Sequence, residues 1–518
     1  MEKLPESVDV IVLGTGLLES VIAAACSRSG LSVLHLDRTE FYGGDWSSFN
    51  LRSINEWLTV NSEEKSDVLE PEYEKLLSDG ETLVQIVERN TIANIQTSWN
   101  DASEETTEVK VKDETMQMTH KEFLQEKEWR KFSIDMVPKV LLARGPMVQT
   151  LCDSEVAKYA EFKCVDRFLC FDQNAPKTEA YSRVPCSKGD IFVDDKLNMI
   201  DKRRLMKFLT YCLQWNTNAD SLNDWQNYQD KSFSEFLNTM GITGTLQQYV
   251  ADAIGILHPN ANTKEGLTAV CKFIDSVGRF GTSPFLTPLY GCGELSQCFC
   301  RLCAVFGGLY CLGRRIEALI YKDDKCVGVI ADGQAVRCTQ VIMSPKYSPK
   351  SSNDSEKSYI HRSVHITKES VFEENKEHVS LVNLSSIESE ACVRYFENGF
   401  EVCAAPKGYY LSNFTGKGSM EKLKEVEKKI LASEEGEGPK PLWSLYFSIL
   451  TSVNHDKLPE NVTEVSGPDH SLDFATVISE AQRIFSSLWP ERDFLPRSLK
   501  QEDEESDVPP IGEEMQSE

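Results

Sequence analysis

The start of the chain alternates between two hydrophobic periodicities. Residues 8–13 are an apolar run typical of a buried strand, the Ala-rich stretch after Gly16 has helical spacing, and residues 31–36 form a second apolar run. A strand, a glycine turn, a helix and a second strand make a βαβ unit, in which the two strands are parallel. The chain is therefore predicted to be an α/β protein that begins with a parallel sheet.

Later segments separate into a helical block and a group of short strands. Residues 186–281 contain several amphipathic stretches, the first with an apolar stripe of Leu205, Phe208, Leu209, Cys212 and Leu213. This block is predicted to be a small α-helical domain inserted in the α/β protein. Apolar runs at residues 326–336, 341–349 and 441–450 predict strands that rejoin the first sheet, and a final helix is predicted at residues 475–488.

Two acidic segments interrupt this order. Residues 63–124 are rich in Glu, Asp, Ser and Thr, with marginal helix only around residues 82–89, and are predicted to be a flexible insertion. Residues 491–518 are predicted to be a disordered acidic tail. The α/β domain is then assembled from the remaining segments, residues 1–62, 125–185 and 282–490.

The formal net charge of −26 is concentrated in the acidic segments. Residues 63–128 hold 18 acidic and 7 basic residues, and residues 501–518 hold 8 acidic residues and no base. Nucleic acid is not an expected partner, because phosphate binding requires clustered Lys and Arg. The pattern favours a basic protein surface or basic tail as a partner, and solvated disorder is the alternative explanation.

The N-terminus and the cysteines bear on the compartment. The first residues lack a basic stretch followed by a cleavable apolar run, and no window approaches the roughly 18 apolar residues of a membrane span. The 16 cysteines are accordingly expected to be reduced thiols. We expect a cytosolic protein without disulfides.

The turn after the first strand carries an altered dinucleotide-binding motif. In G-x-G-x-x-G the glycines make the turn, admit the pyrophosphate and let the helix approach the strand. Gly14 and Gly16 are present, but Glu19 occupies the third position, where its charge would repel a pyrophosphate. Asp37 keeps the position of the ribose ligand. A working FAD or NAD site and a scaffold without cofactor are both open. The second is favoured, because nothing downstream supplies catalytic chemistry.

The string CFCRLC raises the question of a metal site. On a helix, Cys298 and Cys300 point about 200° apart, so they cannot converge with Cys303 on one ion. We expect packed thiols and no metal.

Two strings, DRTEFYGGDWSSF and PLYGCGELSQCFCRLCAVFGG, resemble the superfamily of GDP dissociation inhibitors and Rab escort proteins. The likeness extends to IDMVPKVLLARG, KYAEFK, VPCSKGDIF and KRRLMKFLTYC. It implies an FAD/NAD(P)-binding-like, or GDI-like, fold that lacks flavin chemistry. The acidic insertion and tail favour the escort branch over the shorter inhibitors.

The resemblance also implies a platform for Rab GTPases. Its residues in this chain are Tyr42, Gly43, Gly44, Glu294 and Arg301. Glu294 and Arg301 are two helical turns apart, so they share one face, and Arg301 can donate a bidentate fork. The adjacent stripe expected to anchor this helix consists of Leu295, Phe299, Leu302 and Phe306.

By the same resemblance, the chain would bind GDP-bound Rab GTPases, present them to Rab geranylgeranyltransferase and deliver the prenylated products to membranes, without catalytic residues of its own. The geranylgeranyl lipid would enter the helical domain, at a groove whose candidates are Leu205, Phe208, Leu209, Cys212, Phe233, Phe236 and Val250. Core packing is the alternative for each of them. Tyr249 is the candidate transferase contact. A recycling inhibitor and a flavin amine oxidase are the competing functions.

Overall fold

The computed structural model describes most of the chain. The described residues are 3–60, 65–66, 69–111, 114–171, 180–215, 223–255, 261–349, 356–372, 378–384, 393–431, 438–454 and 458–496. The predicted disorder of the tail falls largely on residues 497–518, which lie outside the described residues.

The strands are numbered in chain order. The first thirteen are β1 Val10–Leu13, β2 Val33–Leu36, β3 Ser48–Phe49, β4 Lys65–Ser66, β5 Thr82–Glu88, β6 Ile92–Trp99, β7 Thr106–Val111, β8 Glu114–Thr119, β9 Ile134–Asp135, β10 Leu141–Leu142, β11 Phe162–Cys164, β12 Arg167–Phe171 and β13 Tyr181–Arg183. The others are β14 Phe285–Pro288, β15 Leu309–Cys311, β16 Ile316–Lys322, β17 Lys325–Ala331, β18 Gln334–Arg337, β19 Gln340–Met343, β20 Tyr347–Pro349, β21 Glu356–Thr367, β22 Ser380–Asn383, β23 Val393–Asn398, β24 Tyr410–Gly416, β25 Pro441–Asn454 and β26 Val462–Glu464.

The α-helices are numbered in the same way. They are α1 Leu17–Arg28, α2 Leu51–Val60, α3 His120–Glu122, α4 Pro146–Asp153, α5 Lys188–Val193, α6 Met199–Gln214, α7 Phe233–Thr239, α8 Thr245–Gln247, α9 Thr263–Ser276, α10 Gly293–Val305, α11 Met420–Ile430 and α12 Ala475–Leu488.

A five-stranded parallel sheet in the order β15-β2-β1-β19-β26 forms the centre of the α/β domain. Side chains alternate along β1, so that Val10 and Val12 join the core that includes α1, whereas Ile11 and Leu13 join a second core on the opposite face. Burial on both faces explains the unbroken apolar run in the sequence. The predicted α/β class with a parallel first sheet is confirmed.

The prediction of a flexible insertion at residues 63–124 is wrong for residues 82–99, which contain two strands of the large sheets. Residues 82–88, within the stretch 82–89 predicted as marginal helix, form strand β5, which pairs with β16 and β20 in a six-stranded sheet. The strand was not predicted, because the residues that flank it are strongly acidic. Glu88 is nevertheless buried at the end of β5, because Lys346 lies 2.8 Å from its carboxylate and compensates the charge.

The later strands do not all rejoin the first sheet. β19 does, but β17 and β18 belong to the six-stranded sheet, and β25 belongs to an eight-stranded sheet in the order β13-β12-β22-β23-β24-β21-β25-β6. β6 supplies the edge of this sheet from within the acidic segment. The reason is pairing over long sequence distances, which local periodicity does not encode.

Between Lys188 and Ser276 the described regular elements are helical, from α5 to α9. One of them, Gln248–Ile254, is a π-helix. The start of the predicted tail packs on the α/β domain, where Leu495 is buried and Arg492 donates to the Ser29 carbonyl.

Arg362 on β21 is fully buried and connects separate parts of the chain. Its Nε donates to the Met136 carbonyl at 2.9 Å, and its Nη2 to the Asp135 carbonyl at 3.3 Å. Its Nη1 donates to the Thr415 hydroxyl at 2.7 Å and to the Phe414 carbonyl. The guanidinium thus joins the eight-stranded sheet to the β9 segment.

We expect Arg362→Met to lower the free energy of unfolding by about 3–5 kcal/mol, because buried acceptors lose their donor while the volume is nearly kept. Urea unfolding measures this. Arg204→Met, at an exposed arginine of α6, is the control and should change stability by less than about 0.5 kcal/mol. Equal effects of the two substitutions would contradict the role of Arg362.

Candidate functional site

The turn after β1 is held by Asp37. The Thr15 amide and hydroxyl both donate to the Asp37 carboxylate, at 2.8 and 2.7 Å, and the Tyr347 hydroxyl donates at 3.1 Å. Gly14 has φ +99°, a conformation that glycine adopts without strain. Asp37, predicted at the position of a ribose ligand, is therefore engaged within the protein.

Glu19 lies where the motif would admit a pyrophosphate. Its side chain is buried and folds over the turn, so that a Cβ added to Gly16 would clash with its carboxyl group. Burial raises the pKa of Glu19 to about 8, and hydrogen bonding to Ser344 opposes this only in part. The carboxyl is therefore mostly protonated at pH 7, whereas the sequence predicted a repelling charge at this position. It excludes a pyrophosphate by occupying the space.

The cavity that remains at this turn is about 20 Å³, lined by Gly14, Gly16, Asp45, Trp46 and Ser344 among others. That volume holds about one water molecule. The residues present at this turn do not fit the pyrophosphate of FAD or NAD.

The FYGG turn packs directly on this first turn. Gly43, at φ +99°, donates its amide to the carbonyl and hydroxyl oxygens of Thr15, at 3.0 and 3.1 Å. Gly44, at φ +50°, then begins a short 3₁₀ turn. The two glycines thereby set the position of Tyr42. Its half-buried ring packs edge-on against the Tyr310 ring, with 5.8 Å between the ring centroids.

The N-terminus of α10 is fixed by the side chains of the buried Asp135 and the half-buried Ser48. The Cys292 amide donates to Asp135 at 2.8 Å, and the Gly293 amide donates to the Ser48 hydroxyl at 2.8 Å. The Ser48 hydroxyl donates in turn to Asp135 at 2.5 Å. These bonds satisfy helix amides that would otherwise lack partners, and they fix the position of Glu294.

Glu294 and Arg301 lie on the same face of α10, with Cys298 between them. The Arg301 guanidinium stacks on the Tyr159 ring at 4.3 Å, and no carboxylate of the described chain lies within ion-pair distance of it. Burial raises the pKa of the half-buried Glu294. Tyr42, in the FYGG turn, lies near Cys300, which is on the neighbouring face of α10.

Three of the four residues predicted to anchor α10 do so. Leu295, Phe299 and Leu302 are buried in the main core. Phe306 is not, because the helix ends at Val305. The residue is 46% exposed, and the Arg28 guanidinium lies over its ring at 5.4 Å from the centroid.

The sequence reading missed exposed apolar side chains beside this face. Val305 and Leu309 are 62% and 49% exposed, and Tyr290 is 57% exposed with φ +64°. Neither the exposure nor the left-handed backbone of Tyr290 has a signal in local periodicity. We call Tyr42, Tyr290, Glu294, Arg301 and Leu309 the platform surface.

The cysteine side chains of CFCRLC lie in different environments. Cys298 lies near Glu294 and Arg301, whereas Cys300 contacts the Ser20 hydroxyl at 3.2 Å across the α1 interface. Burial raises the pKa of both thiols.

The residues predicted to line a lipid groove form the core of the helical domain. Leu205, Phe208, Cys212, Phe233, Phe236 and Val250 are all at most 2% exposed, and Leu209 is half-buried. Phe208 and Phe236 both lie within 6.5 Å, centroid to centroid, of Phe233. An open groove at these positions is therefore not what the structure shows. Their apolar periodicity corresponds to core packing.

Tyr249, the predicted transferase contact, is 1% exposed, so the prediction is wrong in this conformation. Its aromatic ring fits the core better than the surface. The exposed apolar residues of the helical domain lie instead at the end of α5 and the start of α6. They are Phe192, Val193, Met199 and Ile200, exposed by 61%, 81%, 62% and 64%, and we call them the α5–α6 patch.

Within the described residues, we find no helix whose length and apolar composition would let it span a bilayer.

The fold defines an FAD/NAD(P)-binding-like scaffold in which the buried Glu19 carboxyl lies against the glycine turn after β1. The chain belongs to the GDP dissociation inhibitor family, whose model matches residues 4–75 and 100–430. The resemblance inferred from the two sequence strings is thereby confirmed.

Individual relatives refine this placement. The chain is 46% identical to the Caenorhabditis elegans protein named Rab proteins geranylgeranyltransferase component A 1, over 97% of each chain. It is 26% identical to guanosine nucleotide diphosphate dissociation inhibitor 2 of Arabidopsis thaliana, over 67% of this chain and 65% of that protein. The crystal structure of a Rab GDI from Plasmodium falciparum shares the fold, with a TM-score of 0.69 and 21% identity, covering 95% of this chain and 100% of that one.

We expect Glu19→Gln to remove a pH dependence of stability. The folded pKa of about 8 exceeds the ordinary value of 4.5, so the folded protein retains a proton that the unfolded chain releases. This group's contribution to stability is therefore lost as pH rises from about 4.5 to 8. The melting temperature of the variant, relative to the wild type, should rise between pH 5 and pH 8 in calorimetry. A difference that is constant with pH, as expected for the control Glu126→Gln on the surface, would contradict the assignment.

Proposed function

We propose that this chain is a Rab escort protein. It binds newly made GDP-bound Rab GTPases, presents them to the Rab geranylgeranyltransferase heterodimer and carries the prenylated Rab to membranes. The observation that carries the proposal is the similarity to a component A protein along 97% of both chains, whereas the inhibitor relative matches 67% of this chain.

The platform surface provides the contact for the GTPase. Arg301 presents a guanidinium without a carboxylate partner in the described chain, and Glu294, seven residues earlier, presents an acceptor on the same face. Charged groups of this kind set orientation and specificity, while Tyr290 and Leu309 offer apolar area beside them. The platform thus suits a partner with mixed polar and apolar loops, such as the switch regions of a GTPase.

The helical domain receives the lipid by opening. Its aromatic core is closed in this structure, so a geranylgeranyl chain enters only if helices part. The π-helix Gln248–Ile254 supports such a movement, because π-helical turns are rare and are frequently found at functional sites. Burial contributes about 0.8 kcal/mol per CH₂-sized group, which lets a protein interior compete with a bilayer.

The α5–α6 patch is the docking surface that we propose for the transferase, in place of Tyr249. Four neighbouring exposed apolar side chains on one domain are unusual for a protein surface that stays in water. The adjacent Arg203 is exposed and adds a charge at the edge of the patch.

In this proposal the chain does not itself catalyse prenyl transfer, and it holds no flavin. Glu19 fills the pyrophosphate position, and the cavity there is about 20 Å³. Its cysteines fit the cytosol as the working compartment, since those in the described residues are free thiols. Contact with membranes is transient and occurs at delivery.

The experiment that tests the function is geranylgeranylation of an unprenylated GDP-bound Rab by the transferase, with and without the full chain. Dependence on the chain supports the escort role. Prenylation that proceeds equally without it overturns the proposal and favours a recycling inhibitor. The visible absorbance of the purified chain is recorded first, because flavin bands would contradict the absence of cofactor.

We expect Arg301→Ala to weaken binding of the GDP-bound Rab by about 10- to 100-fold, since a charged interfacial partner is lost. Arg301→Lys should also weaken binding, because it keeps the charge but not the bidentate fork. Calorimetric titration measures both. Arg204→Ala in the helical domain is the matched control and should leave the affinity unchanged; an unchanged affinity for Arg301→Ala would refute the platform.

We expect Phe192→Ala to weaken transferase binding by about tenfold or more, because a large exposed anchor is removed, while Rab binding stays intact. Co-sedimentation of chain, Rab and transferase separates the two effects. Leu213→Ala is the control: it removes an exposed apolar residue on α6, about 20 Å along the helix from Met199. Equal transferase binding by the wild type and the Phe192 variant would rule out the patch.

A further inference from the structure

Two free cysteines, Cys326 and Cys338, lie close together in the six-stranded sheet. Cys326 lies on β17 and is buried, and Cys338 follows β18 and is partly buried. The hairpin brings them together, because the Cys338 amide donates to the Val327 carbonyl at 3.1 Å. Both side chains belong to the same core cluster.

A β-bulge accounts for their shared face. Along β17 the pairing with β16 shifts between Ile320–Gly328 and Tyr321–Cys326, which leaves Val327 as the extra residue. Without that shift, strict alternation would point Cys326 away from the face of Val329, where Cys338 lies. Val327 packs in a different cluster, as expected for the bulged residue.

The backbone at Cys326 is held in place from a third segment. The Asn461 side chain accepts from the Cys326 amide at 3.0 Å and donates to its carbonyl at 2.6 Å. It also donates to the Thr339 carbonyl at 2.9 Å, beside Cys338. The Asn461 side chain therefore holds the backbone at Cys326 and next to Cys338.

The pKa values of the two thiols shift in opposite directions. A hydrogen bond from the Cys338 thiol lowers the pKa of Cys326, and the same bond raises the pKa of Cys338. In contrast, burial raises the pKa of Cys292 and Cys300, which lie in the α10 region. Thiolate character is the property that makes a cysteine sensitive to oxidation.

We propose that Cys326 and Cys338 form a redox-active dithiol that closes to an intrachain disulfide under peroxide. One hydrogen peroxide molecule takes one hydrogen atom from each thiol, its O–O bond breaks, an S–S bond forms and two water molecules leave. The two thiols are oxidised and the peroxide is reduced. A thiol reductant such as glutathione reverses the reaction by exchange.

The test is peptide mapping of the full chain after mild hydrogen peroxide, with free thiols blocked by iodoacetamide. We expect a disulfide-linked peptide joining Cys326 and Cys338, which disappears on reduction. Recovery of both cysteines in alkylated form, while other thiols have been oxidised, would overturn the proposal. So would a disulfide that joins either of them to a different cysteine.

Thermal unfolding supplies a second measurement. The linked hairpin should raise the melting temperature of the oxidised chain by several degrees, because the bond restricts the unfolded state. Cys338→Ser should abolish the shift, and Cys271→Ser, at a partly exposed cysteine outside the pair, should keep it. If the increase in melting temperature persists in Cys338→Ser, it arises from other thiols and not from this pair. The peptide map of the wild type tests the proposal independently, even if a variant folds poorly.

Discussion

The fully buried Arg362 guanidinium is the interaction on which the positions of the other parts depend. It lies in the eight-stranded sheet and donates to carbonyls of the β9 segment and of β24. Asp135, in that β9 segment, accepts from the first turn of α10. A buried cation requires these acceptors, so the sheet, the β9 segment and the platform helix hold a fixed relation to one another.

The same dependence on buried polar groups explains how a nucleotide-binding scaffold can serve another purpose. At the turn after β1, the Asp37 carboxylate accepts hydrogen bonds from Thr15 and Tyr347, and the Glu19 carboxyl lies against Gly16. The turn then supports the FYGG loop through the Gly43 amide. In the proposed function, the FYGG loop beside this carboxyl contacts the GTPase.

In the helical domain, apolar side chains both fill the interior and remain exposed at the surface. Its aromatic core is closed, while the α5–α6 patch leaves four apolar side chains in water. This arrangement suits a domain that meets a protein on its outside and a lipid on its inside. The α/β domain and the helical domain thus divide the proposed recognition of a GTPase and of its prenyl group.

The sequence by itself determined the parallel α/β start, the final helix at Ala475–Leu488, the altered third glycine position and the family, because each depends on local periodicity or on short strings of residues. It did not determine that Thr82–Glu88 is a strand, that Glu19 is a buried neutral acid, or that Tyr249 is buried while Phe192 is exposed. Those features arise from pairing partners and neighbours distant in sequence. Lys346 compensates Glu88, the glycine turn encloses Glu19, and the packing of the helices selects which apolar residues are left outside. Burial and charge state belong to the assembled tertiary structure, so only the structure could decide them.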